Sequence, residues 1–128
     1  MKYLLVLSFT ILAHCVWAQN NPFRRIYLFA PSAEDTALVK QQQLLAAATE
    51  RVNERDLRSR VFVAAAENNR MFKKFKVDPK KYTFLLIGKD GREKFRATQV
   101  VTPQLLFTIV DAMPMRQEEM RRRRQSPD

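Results

Sequence analysis

Tyr82-Thr83-Phe84-Leu85-Leu86-Ile87-Gly88 is the stretch whose reading decides the fold of this chain. Its unbroken apolar centre suits a strand whose sheet is covered by helices on both faces, so it reads as a central strand. Lys89-Asp90-Gly91-Arg92 follows. Asp-Gly is the preferred pair for a two-residue hairpin in which both central residues need positive φ, so Glu93 to Ala97 becomes the antiparallel partner strand. A phosphate-binding reading of the same four residues fails, because the glycine spacing is wrong and the segment opens a hairpin instead of a helix.

Toward the N-terminus, Phe23 to Ala30 (FRRIYLFA) holds the apolar run Ile26-Tyr27-Leu28-Phe29 and reads as a second buried strand, ended by Pro31. Ser32-Ala33-Glu34-Asp35 reads as a capping box. The Ser32 hydroxyl accepts from a first-turn amide, Asp35 reaches back, and a helix follows to about Arg55. Leu38, Leu45 and Val52 recur at seven, with Ala48 and Thr49 filling the same stripe. Leu57 to Ala65 holds another strand at Val61-Phe62-Val63. Asn68 or Asn69 then caps a short helix with Met71, Phe72 and Phe75 on its apolar side, and Val77-Asp78-Pro79 stops it.

Beyond the hairpin, Thr102 is read as a cap and Pro103 as the first residue of a helix. Leu105, Leu106, Ile109, Val110 and Met113 form its buried side, and Pro114 closes it. The order β-α-β-α-β-β-α predicts an α/β fold of thioredoxin-like type, a mixed four-stranded sheet flanked by helices.

The first 18 residues read differently. Lys2 is a positive start, Tyr3 to Ala13 is an apolar run too short for an ordinary membrane span, and Val16-Trp17-Ala18 suits a signal peptidase. Residues 1–18 are therefore expected to be a signal peptide, residues 19–114 the domain, and residues 115–128 a charged tail, either helical or disordered. Leu12-Ala13-His14-Cys15 is the rival, a lipoprotein cleavage box, but histidine before the cysteine fits it poorly. The expected product is a secreted protein, periplasmic or extracellular, with no transmembrane segment after cleavage.

Cleavage would remove much chemistry. Cys15, His14 and Trp17 are the sole residues of their types. Without them thiol redox and nucleophilic catalysis lose their atoms, and no cofactor or metal is expected, since the remaining carboxylates are scattered. The charge is +10, and one less once Lys2 has gone. It is concentrated in residues 70–81 (RMFKKFKVDPKK) and in Arg121 to Arg124. Arg70, Lys73, Lys74, Lys80, Lys81 and Arg116 are the candidate binding residues, and such a balance favours anionic partners. An exported protein rarely meets nucleic acid, so the expected partner is an unknown protein or an anionic envelope surface. Met71, Phe72 and Phe75 lie between bases as in single-strand binders, but their helical spacing reads as core.

Three segments carry a family resemblance: IYLFAPSAEDTAL, FLLIGKDGREKFRA and DAMPMRQEEM. Over about residues 24 to 119 the chain resembles a domain of unknown function from exported bacterial proteins. That domain is also found in animal sushi-repeat-containing and coiled-coil-domain-containing extracellular-matrix proteins. The resemblance implies a thioredoxin- or peroxiredoxin-like fold and no established activity. On the thioredoxin pattern, Ala33-Glu34-Asp35-Thr36 stands where the two cysteines would be and Tyr82 where the active-site proline would be, so both halves of the redox site are degenerate. Glu34 and Asp35 suit a helix N-terminus better than a catalytic pair. The expected function is a binding or interaction module. The alternatives are a cysteine-free enzyme using Glu34, Asp35 or Arg24, and a structural or adhesive envelope protein. Met113-Pro114-Met115-Arg116 is the candidate surface within the family-like ending.

Overall fold

The computed structural model describes residues 21–126. The leader, its cleavage site and the lipoprotein box lie outside the described residues.

Four strands and five α-helices follow in order. They are β1 (Arg24–Ala30), α1 (Thr36–Ala47), α2 (Thr49–Glu54), β2 (Leu57–Val63), α3 (Asn69–Lys74), β3 (Thr83–Ile87), β4 (Glu93–Ala97), α4 (Pro103–Asp111) and α5 (Pro114–Gln125), with a short 3₁₀ turn at Ala66–Asn68 before α3. The sheet runs β2-β1-β3-β4. β1 and β2 are parallel, β3 is antiparallel to β1, and β4 is antiparallel to β3. This open mixed sheet flanked by helices is consistent with a thioredoxin-like α/β fold.

Alternation along the strands divides the core into two layers. Ile26, Leu28, Phe84 and Leu86 pack against Leu38 and Leu45 of α1 and Leu106, Phe107 and Val110 of α4. On the opposite face Tyr27, Phe29, Phe62, Leu85 and Ile87 pack with Phe72 of α3 and Val77. Phe29 stacks on Phe62 at 5.1 Å and meets Phe72 edge-on at 5.0 Å. Each such side chain contributes about 1.5–3 kcal/mol on burial, so packing carries the fold.

Five local expectations need correction. The cap of α1 is Asp35, whose carboxylate accepts the Leu38 N–H at 3.1 Å, and Ser32 plays no such part. The long helix to Arg55 is two helices. Ala48 leaves helical geometry at φ −109°, ψ 24°, and the Thr49 hydroxyl bonds back to the Ala46 carbonyl at 2.6 Å, closing the last turn of α1.

Neither Asn68 nor Asn69 caps α3 through its side chain, because the Asn68 amide donates instead to the Val63 carbonyl at 2.8 Å. The hairpin is a three-residue loop. Gly91 N–H bonds Gly88 carbonyl at 3.0 Å, Gly88 N–H bonds Arg92 carbonyl at 2.9 Å, and only Gly91 has positive φ, at 80°. That is a type I turn followed by one left-handed residue, so Asp90 needs no positive φ. Its carboxylate instead accepts the Arg92 N–H at 3.0 Å.

On α4 the buried residues are Leu106, Phe107 and Val110, while Leu105 is 45% exposed. Pro114 ends α4 but is also the first residue of α5, the position where a missing N–H costs nothing. Residues beyond 114 are therefore helical as far as Gln125, resolving the open choice for the tail.

Candidate functional site

The C-terminal end of β1, where a thioredoxin-like dithiol would be expected, is closed. Ala33 and Glu34 are exposed in the turn before α1, Thr36 is exposed as its first residue, and the Asp35 carboxylate is occupied by its cap. Behind them Tyr82 is buried, and its hydroxyl donates to Gln41 Oε1 at 2.9 Å. Gln41 has no exposure. Its amide binds the backbone of Val101 in both directions, donating to the carbonyl at 2.8 Å and accepting the N–H at 2.8 Å. Burial pushes the Tyr82 phenol well above its ordinary range, and the Asp35 charge pushes the same way. This phenol–amide clasp fills the place with satisfied hydrogen bonds. Gln41 was missed in the sequence. Its spacing of three from Leu38 and four from Leu45 is the signal that it faces the core.

The basic segment is a free surface. Arg70, Lys73 and Lys74 on α3, and Lys80 and Lys81 in the loop to β3, are all exposed. None of the five shares an ion pair with a carboxylate among the described residues, whose pairs use other bases. Phe72 is core, as its spacing indicates, and Met71 and Phe75 pack against the same cluster. At the end of α3, Lys76 takes φ 52°. Val77 N–H reaches Phe72 carbonyl at 2.9 Å and Lys76 N–H reaches Lys73 carbonyl at 3.2 Å, a Schellman ending.

Arg116 belongs elsewhere, and its place as a surface binding residue is corrected. It is 1% exposed and sits in a charged seam that docks α5. Its guanidinium meets Asp111 at 3.2 Å, Glu54 at 3.3 Å and Glu119 at 3.8 Å. Asp111 is also gripped by Arg55 through two bonds of 2.9 Å, and the Arg55 guanidinium lies 4.3 Å over the Phe107 ring. Glu119 takes two bonds from Arg24, at 3.1 and 3.2 Å, and one from Lys89 at 2.7 Å. Lys89 continues to Asp56 at 2.9 Å.

Four acids and four bases thus balance where β1 begins. An acid at the end of α4 opposes the helix dipole, and the two arginines on Asp111 offset that cost. Burial raises the Asp111 carboxyl, but hydrogen bonds from Arg55 and Arg116 outweigh it and hold the group below the usual carboxylate range. Glu119 behaves alike, with Arg24 and Lys89 outweighing burial.

The seam joins the hairpin to the family-like ending. Met113, Pro114 and Met115 line a cleft of about 290 Å³ with Gly88, Lys89 and Asp90. Arg24, considered above for a cysteine-free enzyme, is 1% exposed and committed to Glu119 and to the Arg55 carbonyl at 2.9 Å.

Among the described residues no group of three or more His, Cys, Asp or Glu side chains is placed to hold a metal ion, and no helix is long and apolar enough to cross a membrane. A family model described as a domain of unknown function, DUF4174, matches residues 18–119. The chain belongs to the DUF4174 family. Its matched span takes in the clasp, the basic surface and the whole seam, ending at Glu119. The DUF4174 chain is also similar to the sushi repeat-containing protein SRPX of Rattus norvegicus, at 41% identity over 39 residues. That stretch is 30% of this chain and 8% of the rat protein, so the chain spans a small part of that relative's length.

Proposed function

We propose that this DUF4174 domain is an exported binding module that meets an anionic partner at the cell envelope through α3 and the loop to β3. One observation carries the reading. Arg70, Lys73, Lys74, Lys80 and Lys81 are exposed within twelve consecutive residues and share no ion pair among the described residues, while the bases of the seam are matched one for one by acids. Uncompensated charge on one surface raises the encounter rate with an opposite charge and makes binding sensitive to salt. Export is supported by the leader pattern of residues 1–18. The filled position behind Glu34 and Asp35 favours binding over catalysis at that end of the sheet.

The test replaces Lys73, Lys74, Lys80 and Lys81 with Glu and measures retention of the chain on an envelope fraction at low and moderate salt. The wild type is retained at low salt and released as salt rises, and the variant is released throughout. Equal retention of both would defeat the reading.

A further inference from the structure

β2 is an edge strand, and alternation puts Arg58 and Arg60 on the sheet face that carries Phe62. Pairing with β1 places Arg25 beside Arg58 and Tyr27 beside Arg60. Phe72 and Phe75 cover one end of this face, at Phe29 and Tyr27. The other end is open, as a cleft of about 350 Å³ lined by Asn21, Phe23, Arg25, Tyr27, Arg58 and Arg60. Adjacent strands stand about 4.8 Å apart and alternate residues about 6.6 Å apart, so the three guanidinium groups can reach one point.

Like charges side by side on a sheet face repel. None of the three arginines pairs with a carboxylate among the described residues. Each leans on a neighbouring ring or hydroxyl. Arg58 lies 3.8 Å over the Phe23 ring, Arg60 lies 5.1 Å over the Phe62 ring, and Arg25 Nη1 donates to the Tyr27 hydroxyl at 3.1 Å. Phe23 is itself pinned, its N–H donating to Asn21 Oδ1 at 2.9 Å. Arg25 Nε is buried with no acceptor among the described residues. These are donors of one sign lining one cleft, with no carboxylate partner among the described residues.

The geometry points to an oxyanion site in this cleft, taking a phosphate monoester. Guanidinium forks match tetrahedral oxyanions through paired hydrogen bonds. A monoester carries about −1.5 to −2 at neutral pH, which answers three positive charges better than a diester does. The cleft equals the volume of roughly ten waters, enough for the phosphate and a small organic body. The same chemistry can arrive as a free phosphate compound or on a lipid headgroup. The residues differ from those of the basic surface on α3, so this site stands or falls separately.

The test is calorimetric titration of the full chain with glycerol phosphate at ionic strength fixed by chloride. Saturable binding at one site per chain is expected. Arg58→Gln and Arg60→Gln are exposed replacements that leave the circular dichroism spectrum unchanged, and each weakens binding by about tenfold or more, as loss of a charged hydrogen bond requires. The variant with Glu at 73, 74, 80 and 81 still saturates. Inorganic phosphate binding as tightly as the ester assigns a free anion. Tighter, equally arginine-dependent binding to phosphatidic acid vesicles assigns a lipid headgroup. Absence of saturable binding by the wild type, or unchanged affinity in Arg58→Gln, overturns the site.

Discussion

Glu119→Ala removes the acid that holds α5 to the start of β1, and its cost can be worked from the seam. Glu119 accepts two bonds from Arg24 and one from Lys89. The Arg24 side chain is 1% exposed, so water cannot take over the lost partner, and the Arg55 carbonyl remains its one acceptor. Removing one member of a buried pair costs about 3–5 kcal/mol. The lower end applies here, because the Glu119 side chain is 22% exposed and Lys89 keeps Asp56. About 3 kcal/mol corresponds to a fall in Tm of roughly 12 °C or more for a domain of this size.

Urea unfolding followed by circular dichroism measures the change, with the slope m unchanged if the folded core is intact. Glu118→Ala is the control. Glu118 sits on the same helix but pairs only with the exposed Arg121 and Arg122, so its loss should leave the midpoint where it was. Replacing both partners, as Arg24→Met with Glu119→Leu, should recover most of the loss. Equal stability of Glu119→Ala and Glu118→Ala would refute the view that charge, and not apolar burial, docks α5.

Other outcomes follow from the same geometry. Asp111 and Glu119 are held below their ordinary range when folded, so the stability they add is complete above about pH 4–5 and is lost as pH falls through their folded values. Tm should therefore drop steeply in acid, and Glu119→Gln should flatten that slope; an unchanged slope would contradict the assignment. Gln41→Leu orphans the Tyr82 hydroxyl and both backbone groups of Val101, costing about 3 kcal/mol or more in urea unfolding despite the added apolar surface. Adding Tyr82→Phe should return part of that, since one orphan is removed. Lys76→Gly relieves a left-handed residue at the end of α3 and should raise stability by about 1 kcal/mol.

The sheet is legible because its two central strands are apolar on both faces. Ile26 to Phe29 and Phe84 to Ile87 stand in the middle of the order, where periodicity and burial agree. What the sequence hid was mostly polar. The break at Ala48 lies inside a stripe that continues into Val52, so apolar spacing alone runs through it. α5 buries one residue, Arg116, and its docking surface is made of charges contributed by five other elements and loops. No local pattern shows that Glu119 has its counter-charges 30 and 95 residues away.

In the sequence Arg116 therefore reads as surface, as arginines usually do. The basic segment 70–81 is legible in the sequence, because its charges lie close together in the chain. Arg25, Arg58 and Arg60 come from two strands, and their shared face becomes visible only with the register of β1 against β2. The alternation Arg58-Ser59-Arg60 is the one local hint of it.

We infer that this domain works through exposed positive charge without paired acids. The most direct measurement is the affinity of the chain for an envelope fraction as a function of salt, for the wild type and for the variant carrying Glu at 73, 74, 80 and 81. A steep fall with salt is expected for the wild type, and weak, nearly salt-independent binding for the variant. Parallel curves for the two proteins would contradict it.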